Sequence, residues 1–145
     1  MISQGAFDPF AAHLHLDARG DALLIDDVPG FWAALKRGDT RRADVARVAR
    51  GPGYLMGAFR IDADSDHWEV HPHGDEIIQL LSGAVDFVFR EPDGERRVEL
   101  RGRATCIVPR GIWHRTAVHA PSEIVFTTWG LGTQVEPVQQ HGRKR

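Results

Sequence analysis

The chain has 145 residues, enough for one domain with a buried core, and its 42% hydrophobic and 26% charged residues are ordinary for a globular protein. A net charge of -2 argues against a charge-driven nucleic-acid or membrane-surface partner, and no apolar run approaches the roughly 18 residues that span a bilayer. The single cysteine, Cys106, excludes an intrachain disulfide, and the N-terminus lacks the pattern of a secretory signal, so we expect a cytoplasmic protein.

Residues 1–50 are predicted to form an extension that packs on the main body or on a partner subunit. A short strand is expected at residues 22–25. Pro29 and Gly38 lie at the start and just past the end of an apolar stretch, which predicts a short helix between them. Residues 41–50 are compatible with helix, strand or loop.

From residue 51 to residue 136 the pattern is that of short strands separated by turns rich in glycine and proline. The residues from Gly132 onwards are polar and either fold back as an edge strand or fray, and residues 137–145 form a polar tail. Regularly spaced short strands predict an all-β sandwich or barrel. The predicted strands are 54–61, 67–71, 76–81, 85–90, 97–101, 105–108, 114–118 and 123–129.

Side chains with metal-binding atoms occur in two segments of this part. Glu69 and His71 alternate along one strand and therefore point to the same face, and Glu76 opens the next strand. His114 follows a Pro-x-Gly turn at the start of a strand that could return alongside. Three or four nitrogen and carboxylate donors at one end of a barrel suit a divalent transition metal, and carboxylates buried without a cation would be costly.

The first of these segments resembles the first motif of the cupin superfamily, which is His-x-His, three or four residues, Glu, six residues and Gly. Here Glu76 is followed by six residues and Gly83. Counting back from Glu76 places His71 at the second histidine of the motif and Glu69 at the first. The sequence thus looks like a cupin in which glutamate replaces the first histidine.

The second segment resembles the second cupin motif, which is Gly, five to seven residues, Pro-x-Gly-x-x-His, three residues and Asn. Gly102, Pro109, Gly111 and His114 match it in order and spacing, and Val118 occupies the position of the asparagine. The resemblance implies a cupin-like double-stranded β-helix, a jelly-roll barrel, with a short N-terminal extension of helix and strand. It also implies a homodimer, for which the residues before Gly51 are the natural arm.

Under this resemblance one divalent ion per chain, iron, manganese, nickel or zinc, is bound by Glu69, His71, Glu76 and His114. A rival set replaces Glu69 by His73, which keeps three histidines but shortens the loop before Glu76. The first set preserves both strand alternation and the spacing to Gly83.

The remaining histidines divide into two groups. His73 lies on the turn, either exposed or beside a metal ligand. His67 alternates with Glu69 along the same strand, so it either lines the pocket or faces away. His73 and His67 are the two candidate catalytic residues. Four others are predicted to be surface or hydrogen-bonded polar residues: His13, His15, His119 and His141.

These features suit two functions. The first is a small mononuclear metalloenzyme of dioxygenase, isomerase or lyase type, in which the ion polarises an oxygen of a small oxygen-rich substrate and His73 or His67 moves a proton. The second is a non-catalytic cupin module that binds or senses a small ligand, although no helix-turn-helix or other output domain is recognisable. A metal-free barrel acting on sugars is a weaker third possibility.

Overall fold

The computed structural model describes residues 5–139, which form nine β-strands and two short helices. Neither helix has the length and hydropathy needed to cross a membrane. The strands are β1 His13–Asp17, β2 Ala22–Ile25, β3 Gly53–Ile61, β4 His67–Val70, β5 Glu76–Glu91, β6 Gly94–Arg101, β7 Thr105–Val108, β8 His114–Trp129 and β9 Gln134–Pro137, and the helices are α1 Val28–Lys36 and α2 Ala43–Arg50.

Every strand pairing among these residues is antiparallel. One series of neighbours runs β2-β1-β3-β8-β4-β9, and β5 pairs with β6, β7 and β8. The main core lies inside and includes Leu55, Ile78, Phe87, Phe89 and Phe126. The all-β jelly-roll class expected from the sequence is therefore confirmed.

Strands β5 and β8 are longer than expected, because each joins two predicted strands into one of 16 residues. The prediction that Ser82-Gly83 ends a strand was wrong. Pairing continues through register shifts between Leu80 and Val85, where Gly83 adopts φ +97°. The Ser122 hydroxyl accepts a hydrogen bond from the Ala84 amide at 3.0 Å, so the irregular stretch keeps a partner for its backbone.

The β5–β8 ladder curves back on itself. Glu76 at one end of the ladder pairs with Thr128, whereas Phe89 at the other end pairs with His114. A straight strand would separate Glu76 from Phe89 by about 40 Å. Glu76 Oε1 nevertheless lies 3.3 Å from His114 Nε2, so the two ends of the ladder meet.

The N-terminal part adds two strands and two helices to the barrel. The predicted strand β2 and the predicted helix are both present; the side chain of Asp27 accepts a hydrogen bond from the Gly30 amide at the start of α1. The segment left open at residues 41–50 is mostly helix α2, whose Val45 and Val48 are buried. Strand β1, which the sequence did not predict, pairs with both β2 and β3.

Candidate metal centre

Four side chains meet inside one end of the barrel. Glu69 lies on β4, His71 follows β4 directly, Glu76 opens β5 and His114 opens β8. Their candidate ligand atoms all lie within 4.8 Å of one another. These residues are the four chosen from strand alternation and motif spacing.

Strand pairing and turn contacts place these residues. Glu69 and His114 are register partners across β4 and β8. The Gly111 amide donates to the His71 carbonyl at 2.9 Å, and the Arg110 amide donates to the Asp75 carboxylate at 2.9 Å. The two motif-bearing turns are therefore held together by one backbone–backbone hydrogen bond and one hydrogen bond from a backbone amide to a carboxylate side chain.

The two imidazoles each point one nitrogen between the two carboxylates. His71 Nε2 lies 3.3 Å from Glu69 Oε1 and 3.2 Å from Glu76 Oε2. His114 Nε2 lies 3.4 Å from Glu69 Oε1 and 3.3 Å from Glu76 Oε1. Both nitrogens are buried, and within residues 5–139 neither has a partner in hydrogen-bond geometry. This arrangement leaves both nitrogens available as ligands.

The remaining atoms of the ligands are held by neighbours. His114 Nδ1 lies 3.0 Å from the Ile112 carbonyl, and a proton donated there leaves the Nε2 lone pair free for a metal. His71 Nδ1 lies 2.8 Å from the Thr133 hydroxyl. The Thr128 hydroxyl donates to the Glu76 carboxylate. Each of these contacts fixes the orientation of one ligand.

The charges of the four groups are strongly coupled. Burial lowers the pKa of both histidines, but the adjacent Glu69 and Glu76 carboxylates more than offset it, giving a pKa of about 9 for His71 and about 10 for His114. Burial raises the pKa of Glu69 and Glu76, and the facing histidines overcome this effect and hold both well below the usual range. In the absence of a cation, two protons therefore balance the two carboxylates.

One side of the cluster is open to solvent. His71, Glu76 and His114 are buried, whereas the Glu69 side chain is 32% exposed. His67 lies on that side, with Nε2 at 3.8 Å from Glu69 Oε2 and Nδ1 at 2.9 Å from Asp66. The contact with Glu69, opposed by burial and assisted by Asp66, raises the pKa of His67 to about 9. A cationic histidine thus stands beside the accessible ligand.

His73 lies elsewhere, on the exposed turn after β4, where its ring packs against Gly132. It does not belong to the four-residue cluster. His13 and His15 are buried and contacted by Trp32 Nε1 at 3.2 Å and Arg47 Nε at 2.9 Å. His119 contacts Asp86, and His141 lies outside the described residues. Cys106 is buried in the core.

Sequence reasoning missed the two threonines that support the ligands. Thr128 alternates with Ile124 and Phe126 on a buried face, and a hydroxyl in such a series requires a polar partner. In the structure that partner is Glu76, which lies opposite Thr128 in the β5–β8 pairing. Thr133 lies in the segment whose course the sequence left open.

Known proteins resemble this chain in structure only. No protein-family model matches the sequence, and no curated protein sequence matches it either. A cupin-2 domain containing protein from Shewanella frigidimarina is 16% identical, with a TM-score of 0.44 over 62% of this chain and 82% of that chain.

Two enzymes are also among the similar structures. Hydroquinone 1,2-dioxygenase from a Sphingomonas species, with 4-hydroxybenzoate bound, is 16% identical, with a TM-score of 0.44 over 59% of this chain and 60% of that chain. Hydroxypropylphosphonic acid epoxidase from S. wedmorenis is 14% identical, with a TM-score of 0.43 over 53% of this chain and 43% of that chain. The chain spans less than two thirds of either enzyme, and likenesses at this level carry no information about its substrate.

Proposed function

We propose that this chain, a cupin by its fold and its two motifs, is a mononuclear metalloenzyme that acts on a small oxygen-rich molecule. Glu69, His71, Glu76 and His114 would hold one divalent iron, manganese, nickel or zinc ion. Two carboxylates match the charge of such an ion, and two imidazoles supply the nitrogen donors that it prefers. The bound ion would supply Lewis-acid chemistry or, for iron, redox chemistry.

The pair of buried Nε2 atoms carries this proposal. Both imidazoles are oriented by contacts at Nδ1, and both direct Nε2 at the space between the same two carboxylates. A structural salt-bridge cluster would bring each proton into hydrogen-bond geometry with an oxygen. The distances of 3.2 to 3.4 Å without such geometry fit ligands disposed around a common centre.

The open side at Glu69 supports a catalytic rather than a purely structural site. A substrate would approach past Glu69 and His67, because the other three ligands are enclosed. His67, whose ring lies 3.8 Å from Glu69 and 2.9 Å from Asp66, would hydrogen-bond to a substrate oxygen or move a proton to or from it. His73 stays a candidate for a proton-transfer role only if the turn that carries it closes over this side.

Elemental analysis of the purified protein tests the metal site. We expect about one ion per chain in the wild type and in the matched control His73→Ala. We expect the ion to be lost from Glu69→Ala, and circular dichroism would verify that this variant is folded. Metal that is lost from His73→Ala and kept in Glu69→Ala would contradict this ligand set and favour the rival one.

Turnover is tested separately. The metal-loaded protein would be incubated with small hydroxylated aromatic and aliphatic acids under air and under nitrogen, with product formation followed by mass spectrometry. Conversion that is weakened in His67→Gln while metal content is unchanged would support the role given to His67. A metal-loaded protein that binds such molecules without converting any of them would instead be a ligand-binding module.

The homodimer stays a prediction, which light scattering during size-exclusion chromatography would test.

A further inference from the structure

We propose that a second site, on the outer face of the strands that carry the metal ligands, binds a small organic oxyanion, that is, a carboxylate or phosphate group attached to a flat apolar body. The site is a groove of about 720 Å³, which lies within the range of small-molecule sites. Residues that line it include Trp68, Arg90, Glu95, Arg115, Glu136 and Val138.

Strand alternation separates this groove from the metal centre. Trp68 precedes Glu69 on β4, and Arg115 follows His114 on β8, so each groove residue points away from the ligand beside it. Trp68 packs with Val88 and Ala117 in a small cluster that is distinct from the main core. The two sites lie back to back across one layer of strands.

Two arginines are held in place by an indole ring. The guanidinium carbon of Arg90 lies 4.5 Å from the centre of the Trp68 ring, and that of Arg115 lies 5.1 Å from it. Arg90 also lies 5.6 Å from the Trp113 ring. Guanidinium groups fixed on aromatic faces lose little freedom when they bind an anion, which favours recognition of carboxylate and phosphate.

Arg115 has unused hydrogen-bonding capacity. Its side chain is only 15% exposed, and its Nε is buried without a hydrogen-bond partner in the described part of the chain. The hydrogen bond that it makes there joins Nη2 to Glu95 Oε2 at 3.4 Å, which is long for a charged pair. A guanidinium with five donors in this state suits an incoming acceptor with two or more oxygens.

The present partners of the arginines are easily replaced. Glu95 pairs with Arg115, and Glu136 pairs with Arg90 at 2.6 Å. The two glutamate side chains are 50% and 43% exposed, so their ion pairs are screened by solvent and contribute little to stability. They occupy the positions that a ligand oxyanion would take, and they would compete with it.

The walls specify the rest of the ligand. Pro137 and Val138 offer apolar surface beside the two arginines, next to the buried Trp68 ring. Inorganic phosphate would leave that surface in contact with water, and a purely apolar molecule would leave the guanidinium donors unpaired. An aromatic acid or an aryl phosphate satisfies both features.

Isothermal titration of the metal-free protein in chelator tests the proposal, with phenyl phosphate, benzoate and inorganic phosphate as probes. Because the metal is absent, the outcome does not depend on the function proposed for the metal centre. We expect phenyl phosphate or benzoate to bind once per chain and to change tryptophan fluorescence, and the stronger of the two identifies the anion. Inorganic phosphate is expected to bind at least 10-fold more weakly.

Variants make the test specific. Arg115→Gln is expected to weaken binding at least 10-fold, whereas Glu95→Gln and Glu136→Gln are expected to strengthen it, because they remove the competing carboxylates. Arg60→Gln is the matched control, since Arg60 lies over the Phe10 ring at 4.2 Å and pairs with Glu123 outside the groove. Absence of binding by the wild type, or weaker binding in both glutamate variants, would overturn the proposal even if Arg115→Gln fails to fold.

Discussion

Loading the metal-free protein with a divalent ion at pH 7 should release two to three protons. In the metal-free state the pKa values of His71 and His114 are about 9 and about 10, so both imidazoles are protonated at neutral pH. A metal ion can bind only to the unprotonated Nε2 atoms, and it must displace both protons. Proton release therefore reports directly on the coupling between the histidines and the carboxylates.

The magnitude follows from the two pKa values. At pH 7 the metal must displace a proton from His71, whose pKa lies about two units above the pH, and one from His114, whose pKa lies about three units above it. The apparent metal affinity at pH 7 is therefore roughly five orders of magnitude below its limit in alkali. Through these two histidines the logarithm of the affinity should rise by about two per pH unit from pH 7 to 9 and by about one from pH 9 to 10, and His67 adds up to about one to this slope below pH 9.

Calorimetric titration with Mn²⁺ in buffers of different ionisation enthalpy counts the protons. His67 adds to the count, because its pKa depends mainly on Glu69 and falls when Glu69 binds the ion. We therefore expect two to three protons for the wild type, about two for His67→Gln, and no change in His73→Gln. Release of fewer than one proton at pH 7 would refute the description of a doubly protonated cluster.

Three further predictions concern the surroundings of the site. Thr133→Val removes the partner of His71 Nδ1 and should weaken metal binding about 10- to 100-fold in a chelator competition. The control is Thr127→Val, which alters a half-buried threonine beside Thr128 and should leave metal binding unchanged. Gly83→Ala should destabilise the protein by about 2 kcal/mol or more in urea unfolding, because the added Cβ would lie 2.5 Å from the Pro121 carbonyl oxygen. Gly102 also has a positive φ, but no atom lies within 4 Å of the Cβ that alanine would add there, so Gly102→Ala should destabilise the protein by only about 1 kcal/mol. In the metal-free protein the raised pKa values of His71 and His114 contribute stability that is complete below pH 6.5 and lost towards pH 9–10. The lowered pKa values of Glu69 and Glu76 contribute stability that is present above pH 4.5 and lost in acid. The melting temperature should therefore be highest near pH 5–6, and a melting temperature that keeps rising to pH 9 would contradict this.

The meeting of Glu69, His71, Glu76 and His114 was predictable because its determinants are local. Alternation along β4 fixes the common direction of Glu69 and His71, and the four residues between His71 and Glu76 favour Glu69 over His73. The Pro-x-Gly turn before β8 locates His114. These are properties of a few consecutive residues, and the sequence displays them directly.

The missed features depend on residues that are distant in the sequence. In β1 the alternation of His and Leu suggests buried leucines and exposed histidines, yet His13 and His15 are the buried residues, because Trp32 and Arg47 supply their hydrogen bonds. Ser82-Gly83 has the composition of a turn, but it forms a bulge because Ser122 on β8 supplies a partner for the backbone. In each case tertiary contacts outweighed the local pattern.

The folded-back ladder also has a consequence for local motion. Glu76 and His114 lie at opposite ends of the β5–β8 pairing, so an ion held by both residues would add a cross-link to the β5–β7 pairing and the turn contacts that already join these ends. Fluctuations that separate these ends would then require the ion to be released. Metal loading should therefore slow amide hydrogen exchange at Glu76 and His114 more than at Val85 and Val88 in the middle of the ladder, and the rate of ion loss should follow the rate at which this end of the barrel opens.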